Sequence, residues 1–360
     1  MTARKLIKLF AALALLAGVG CTRIEQPAGQ VTLSFSTGIP ATRTGEDDLA
    51  TRIADGRAIA VDTGSPDLVV LIADAGGTVV AKYPDANPDD TELDFDAANP
   101  SRASITFRQS SLTEGTYTVY AFANTQGLWA FTDGTDSYTA ASLTSIGSQT
   151  VLDALYFTPM TFDPANDDYP NPALQSARLP LSAKGQLSIS AHGNGRVSLD
   201  LLRCVAQVDT EFRNDYISEL SLTNLSVTFH HLNPATGYVL QHTPDFPAGA
   251  QDGNLIQTQG SITIPTRESG HLTSLVFPSE APEGKYTCDV TFDFDADQDG
   301  TPETYTYTDL EVQDNRAVRI TSLSRNQSLH ILIRISRGRT VSFNFSLEDW
   351  VSLTETVLFE

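Results

Sequence analysis

The residues with the most chemical potential are acidic. Asp293 to Glu303 reads Asp-Phe-Asp-Ala-Asp-Gln-Asp-Gly-Thr-Pro-Glu, which sets Asp295, Asp297 and Asp299 at alternate positions ahead of Gly300. Hard carboxylate oxygens at that spacing can converge on Ca2+ while the glycine allows a sharp turn, and Glu303 could bind directly or through water. A helix–loop–helix calcium site would put a glutamate where Thr306 stands, and helical flanks are absent, so a charged hairpin tip is the competing reading. A second acidic group is Asp62, in Asp62-Thr-Gly-Ser65 between the apolar runs Ala58–Val61 and Leu68–Leu71. Acid–base catalysis by such a loop needs two carboxylates sharing a proton. No second Asp-Thr-Gly or Asp-Ser-Gly exists in the chain, so a turn before a strand is the better account of Asp62. The six histidines lack zinc-site spacing, and Trp129, Phe131 and Tyr138 form an aromatic set that either stacks on a sugar or packs in a core. No nucleophile elbow, phosphate loop or dinucleotide fingerprint occurs, and no enzyme activity is expected.

Cysteine chemistry points to export. Arg4, Lys5 and Lys8 precede an apolar run from Leu9 to Gly20, and Cys21 follows directly. That is the layout of a cleaved leader, too short to span a bilayer, where roughly 20 apolar residues are needed. Small residues Gly18, Val19 and Gly20 suit a lipoprotein signal peptidase, which makes residues 1–20 a lipoprotein signal peptide and Cys21 the lipidated first residue. Acyl chains such as palmitate contribute about 0.8 kcal/mol per buried methylene, so several together hold a water-facing body on a membrane. Cys204 and Cys288 remain, each on the apolar side of an alternating segment. They are either a disulfide in an oxidising compartment or two buried thiols.

Net charge supports the same setting. The formal charge is -21, and loss of a leader with three basic and no acidic residues takes it to -24. An anionic surface repels phosphate, which argues against nucleic acid as a partner.

The elements that position these groups read as strands. Val31, Leu33 and Phe35 alternate with Thr32, Ser34 and Ser36; Leu329, Ile331, Ile333 and Ile335 repeat the pattern, as do Val341, Phe343, Phe345 and Leu347. Period-two alternation throughout, without comparable helical periodicity, predicts an all-β body of two tandem antiparallel β-sandwich domains. Turn residues at 191–195 suggest a boundary there, giving residues 21–192 and 193–360. Residues 42–64, 84–101 and 163–172 are expected as long polar loops.

Several stretches in order resemble the fimbrillin superfamily of Bacteroidales type V pili, with its FimB/Mfa-like subunits. They are Tyr117-Thr-Val-Tyr-Ala-Phe-Ala-Asn124, Leu179-Pro-Leu-Ser182, Leu202-Arg-Cys-Val-Ala-Gln-Val208, Leu323-Ser-Arg-Asn326 and a last strand closing on Trp350. The resemblance implies transthyretin-like sandwiches, lipid anchoring at the outer membrane, and assembly by donor strand, in which one subunit's extended segment fills a groove in its neighbour. It also implies, for stalk-type members, a cut by an arginine-specific peptidase, for which Arg43, Arg52 and Arg57 are candidates; anchor-type members escape the cut. The segment Val341 to Glu360 is the candidate donor, or simply the last strand of the second domain.

The reading is therefore a structural or anchor subunit of a surface-exposed fimbria that supports cell adhesion, with other fimbrial subunits as partners and no required cofactor beyond the calcium option. A surface glycan-binding lipoprotein is the alternative, and an aspartic peptidase acting through Asp62 a distant third.

Overall fold

The computed structural model describes residues 30–37, 61–62, 65–95, 102–108, 112–125, 131–157, 179–243, 253–297, 299–336 and 340–349. Nearly all of them lie in strands or the turns between strands, as the alternation requires. The longer strands are β1 (Val31–Ser36), β2 (Leu68–Ala73), β3 (Val79–Tyr83), β4 (Thr91–Phe95), β5 (Arg102–Phe107), β6 (Gly115–Ala123), β7 (Leu181–Ile189) and β8 (Gly195–Asp200) in the first half. The second half holds β9 (Ala206–Asp215), β10 (Leu220–His230), β11 (Leu255–Ile264), β12 (Ser269–Val276), β13 (Thr287–Phe294), β14 (Glu303–Glu311), β15 (Gln327–Ser336) and β16 (Thr340–Asp349). Two short helices, α1 (Ala140–Leu143) and α2 (Gln149–Ala154), sit between β6 and β7.

In the first half one curled sheet runs β3-β2-β6-β7-β8-β1-β5-β4 and folds over its own core. Val31, Leu33 and Phe35 of β1 meet Leu68, Val70 and Ile72 of β2 and Val119 and Ala121 of β6 in that core. In the second half two sheets, β12-β9-β15-β16 and β11-β10-β13-β14, close over a separate core. Inward rows such as Leu329, Ile331, Ile333 and Ile335 fill it, and their polar neighbours face water.

β2 breaks the alternation, and the structure gives the reason. Every residue of Leu68–Ala73 is buried, because Val69, Leu71 and Ala73 face a third apolar layer with Tyr120 and Phe122 of β6. That layer is built from Leu143 of α1, Leu152 of α2, and Val239, Leu240, Leu275 and Phe277 from the second half. A strand covered on both faces reads as a continuous apolar run.

Two expectations change. The turn at 191–195 is a hairpin within the first sheet, since β8 pairs in parallel with β1 from Val31↔Gly195 to Ser36↔Asp200. The chain passes between sheets at 203–206, beyond the turn residues that suggested 192/193. Residues 84–101, expected as a loop, contain β4, whose Leu93 and Phe95 pack on the first core and whose backbone pairs with β5. Three alternating apolar-capable positions were too few to stand out beside the surrounding Asp, Asn and Pro.

Candidate functional site

The features that bear on assembly are the first strand, the last strand and the seam between sandwiches. β1 lies inside its sheet, parallel to β8 on one edge and antiparallel to β5 on the other, so Leu33 stands between Val197 and Ile105. Its inward side chains Val31, Leu33 and Phe35 are 0–2 % exposed. Full burial of three such side chains contributes about 5–9 kcal/mol at 1.5–3 kcal/mol each. Its outer face carries small hydroxyl residues, with Ser36 Oγ donating to Asp200 and Thr32 hydrogen bonded to Thr106. Withdrawal of this one strand would open a groove with two unpaired backbone edges and an uncovered apolar floor. Arg43, Arg52 and Arg57 lie outside the described residues.

β16 is the opposite kind of strand. It pairs with β15 from Gln327↔Asp349 to Ser336↔Thr340, and among the described residues its other edge has no strand partner. Only Phe345 of its inward row is buried; Val341, Phe343 and Leu347 are half-covered. Phe343 meets Tyr307 of β14 edge to face at 4.9 Å, closing the mouth of the second sandwich.

The seam is where three of the sequence motifs meet. Arg325, 4 % exposed, donates from Nη2 to the carbonyls of Tyr238 (3.0 Å) and Leu240 (2.7 Å), and from Nη1 to Val239 O and Ser182 Oγ (both 3.2 Å). Ser182 Oγ in turn donates to Val239 O at 2.6 Å, and Arg203 Nη1 donates to Asn326 Oδ1 at 2.7 Å. Backbone bonds add to this: Phe157 N to Gly237 O (2.9 Å), Val239 N to Leu155 O (3.0 Å) and Asn326 N to Val205 O (2.9 Å). Residues 237–240 thus form a strap from the second sandwich laid on the first. Gly237 permits it, because a Cβ there would come within 2.6 Å of the Phe277 ring.

Cys204 and Cys288 are free and buried in different layers, Cys204 in the seam and Cys288 in the second core. The pairing considered for them is therefore not made: Cys204 Sγ donates instead to Ser182 Oγ and Val239 O at 3.4 and 3.3 Å, while burial pushes the Cys288 thiol up to about 12.

Asp295, Asp297 and Asp299 do converge, with one carboxylate oxygen each within 4.8 Å of the others. They sit at the tip of the β13–β14 hairpin, where Asp295 accepts from the amides of Asp299 and Gly300 and Asp299 from that of Thr301. Glu303 does not join them; its Oε2 accepts from the Ala296 amide at 3.2 Å. Asp62 belongs to a two-residue strand, Val61–Asp62, paired with Ser65–Pro66 in a tight hairpin. Cys21 and Trp129 lie outside the described residues.

One cluster escaped sequence reasoning. On the wet face of β12-β9-β15, His271 Nδ1 lies 3.1 Å from Asp209 Oδ2, and His330 Nε2 lies 3.0 Å from Glu211 Oε2. Hydrogen bonds from His330 and Ser269 hold Glu211 down at about 2, and the carboxylates raise both histidines. These residues are far apart in sequence, and only the outward position of each on its own strand hinted at a shared face.

Among solved structures, a candidate cell adhesion protein from Parabacteroides distasonis is similar in fold, with a TM-score of 0.54 at 8% identity over 91% of this chain and 99% of that one. A candidate cell adhesion protein from Bacteroides eggerthii matches at a TM-score of 0.49 and 12% identity, covering 90% of this chain and 96% of the other. A fimbrial assembly protein from Parabacteroides distasonis matches at 0.42 and 12%, covering 89% and 96%. No curated protein matches the chain. The model of a family described as fimbrillin-A associated anchor proteins Mfa1 and Mfa2 matches residues 25–356. A match of that length, over the two sandwiches and the motifs that join them, places this chain in the fimbrillin-A associated anchor family, whose members are fimbrial proteins and not enzymes.

Proposed function

We propose that the chain is a structural or anchor subunit of an outer-membrane fimbria that supports adhesion, tethered through lipidated Cys21 while β1 is retained, and open to strand exchange with neighbouring subunits once a cut after Arg43, Arg52 or Arg57 has removed β1 together with the tether. The position of β1 carries this reading: a strand with neighbours on both edges and three buried side chains leaves a strand-shaped groove when removed. The two sandwiches, with the change of sheet at 203–206, serve as the two domains of the exported body. Val341 to Glu360 is the donor, since β16 is an edge strand with a half-covered apolar row.

The N-terminus of the surface protein tests the reading. A diacylated or triacylated Cys21 is expected for an anchor; a start after Arg43, Arg52 or Arg57 marks a polymerising subunit that has lost β1. SDS-resistant ladders from native surface material are expected to disappear on deletion of residues 341–360. Monomer in every fraction of the unaltered protein would overturn strand exchange.

A further inference from the structure

Sheet edges are surfaces that a β protein must guard, because a row of unpaired amides and carbonyls is a template for another strand. Among the described residues, the edge strands of this chain are covered or interrupted, with one exception. β3 is backed by the turn at 144–148, where Val79 N donates to Gly147 O at 3.0 Å and Lys82 reaches the Thr144 carbonyl. β4 is five residues long and carries Glu92 and Asp94. β11 and β12 stand against each other where Ile262 covers Gly270. β14 is broken by a bulge near Asp309, whose φ is 53°.

β16 is the exception. It runs for 10 residues in unbroken register with β15, and no charge, proline or glycine interrupts it from Thr340 to Leu347. Its inward row is Val341, Phe343, Phe345 and Leu347, of which only Phe345 is buried, so the row is incompletely covered. Its outward row from Thr340 to Ser346 holds only Thr340, Ser342, Asn344 and Ser346, none of which carries a charge that would repel a neighbour.

The strand is complementary to a second copy of itself. In an antiparallel pair centred on Asn344, Val341 faces the partner's Leu347 and Phe343 faces the partner's Phe345, so all four inward residues meet apolar ones. A slip of one residue would set inward side chains against outward ones. A slip of two would set Val341 against the partner's Asp349, or Leu347 against the partner's Arg339. Charge favours the same order: Arg337 and Arg339 precede the strand in sequence and Glu348 and Asp349 close it, so the basic start of one copy meets the acidic end of the other. The formal net charge of -21 on each copy opposes association at long range, but a Debye length of about 8 Å at physiological salt leaves the local pattern to decide.

We infer that β16 pairs edge to edge with β16 of a second copy, joining their two four-stranded sheets into one continuous sheet about a two-fold axis at Asn344. β16 keeps its place beside β15, whereas strand exchange would take it out of its sandwich. The pairing needs no cut, and it dissolves in SDS, so its failure and that of strand exchange are separately visible. One shared strand buries less than the about 1,200–2,000 Å² of a standard interface, which makes the dimer a weak, micromolar one.

The test uses residues 21–360 with Cys21→Ser, in sedimentation velocity between about 1 and 100 µM. A dimer whose fraction rises with concentration is expected. Asn344 is exposed, so a charge there spares the fold but faces its like across the axis. Asn344→Lys and Asn344→Glu are each expected to weaken association about fivefold at an unchanged urea midpoint, and their equimolar mixture to restore it as the heterodimer. On oxidation Asn344→Cys is expected to link two copies; Ser342→Cys is expected to do so only when mixed with Ser346→Cys. A monomer at every concentration would overturn the pairing, as would a dimer indifferent to the charges at position 344. A dimer that Asn344→Cys fails to link would overturn this register.

Discussion

Arg325 donates to the carbonyl of Leu240 at 2.7 Å, with both residues buried between the sandwiches. The guanidinium also serves Tyr238 and Val239, so it fixes the strap to its own sandwich, and its bond to Ser182 reaches across to the first. Arg325→Met leaves buried carbonyls without a donor, at about 1–3 kcal/mol for each group stranded. A loss of about 2–5 kcal/mol is expected in urea unfolding, with the single transition splitting into two as the sandwiches uncouple. One unchanged transition would show that the apolar layer alone holds the seam.

Stability should depend on pH through the wet face of β9, β12 and β15. His271 and His330 are raised above 6.5 by Asp209 and Glu211, so their contribution is full below 6.5 and fades as pH rises through the higher folded values. Glu211 is lowered from 4.5 to about 2, so its contribution is full above 4.5 and fades as pH falls toward 2. These groups therefore contribute most between about 4.5 and 6.5. His330→Gln is expected to flatten the alkaline limb of the thermal midpoint against pH; an identical limb would assign that dependence elsewhere.

The two strands proposed for exchange should differ in stability. Leu33→Ala, at a side chain 0 % exposed, is expected to cost about 2–5 kcal/mol. Val341→Ala, on half-covered β16, is expected to cost under about 1 kcal/mol because little cavity forms. Urea midpoints compare the two, and a larger effect at Val341 would reverse the assignment of fixed and detachable strands.

Gly237→Val should weaken the seam by overpacking, since Cβ would meet Phe277 at 2.6 Å. About 1–3 kcal/mol is expected, seen as a fall of several degrees in the thermal midpoint. Gly260→Ala is the control, with nothing within 4 Å of the added carbon. Equal shifts for both would remove the steric argument.

Both inner thiols should resist modification in the folded protein. Cys204 and Cys288 are buried, and Cys288 titrates at about 12, far from the thiolate form. A thiol reagent is expected to label neither under native conditions and both after unfolding without reductant. Absence of labelling after unfolding would restore the disulfide.

The strands were legible because a half-buried strand must write its two faces into alternate residues. Val31-Thr-Leu-Ser-Phe-Ser36 shows inward and outward rows without any structure, and so do Leu329–Ile335 and Val341–Leu347. The family motifs were legible too, as short ordered marks. Their reason was not: Ser182, Arg203, Arg325 and Asn326 meet only when two separate sandwiches come together, and a side chain's partner across a seam leaves no local pattern. Neighbour identity within the sheets was equally hidden. Backbone hydrogen bonding is indifferent to side-chain type, so β1 parallel to β8, the placement of β4, and the separation of Cys204 from Cys288 were decided by tertiary packing alone.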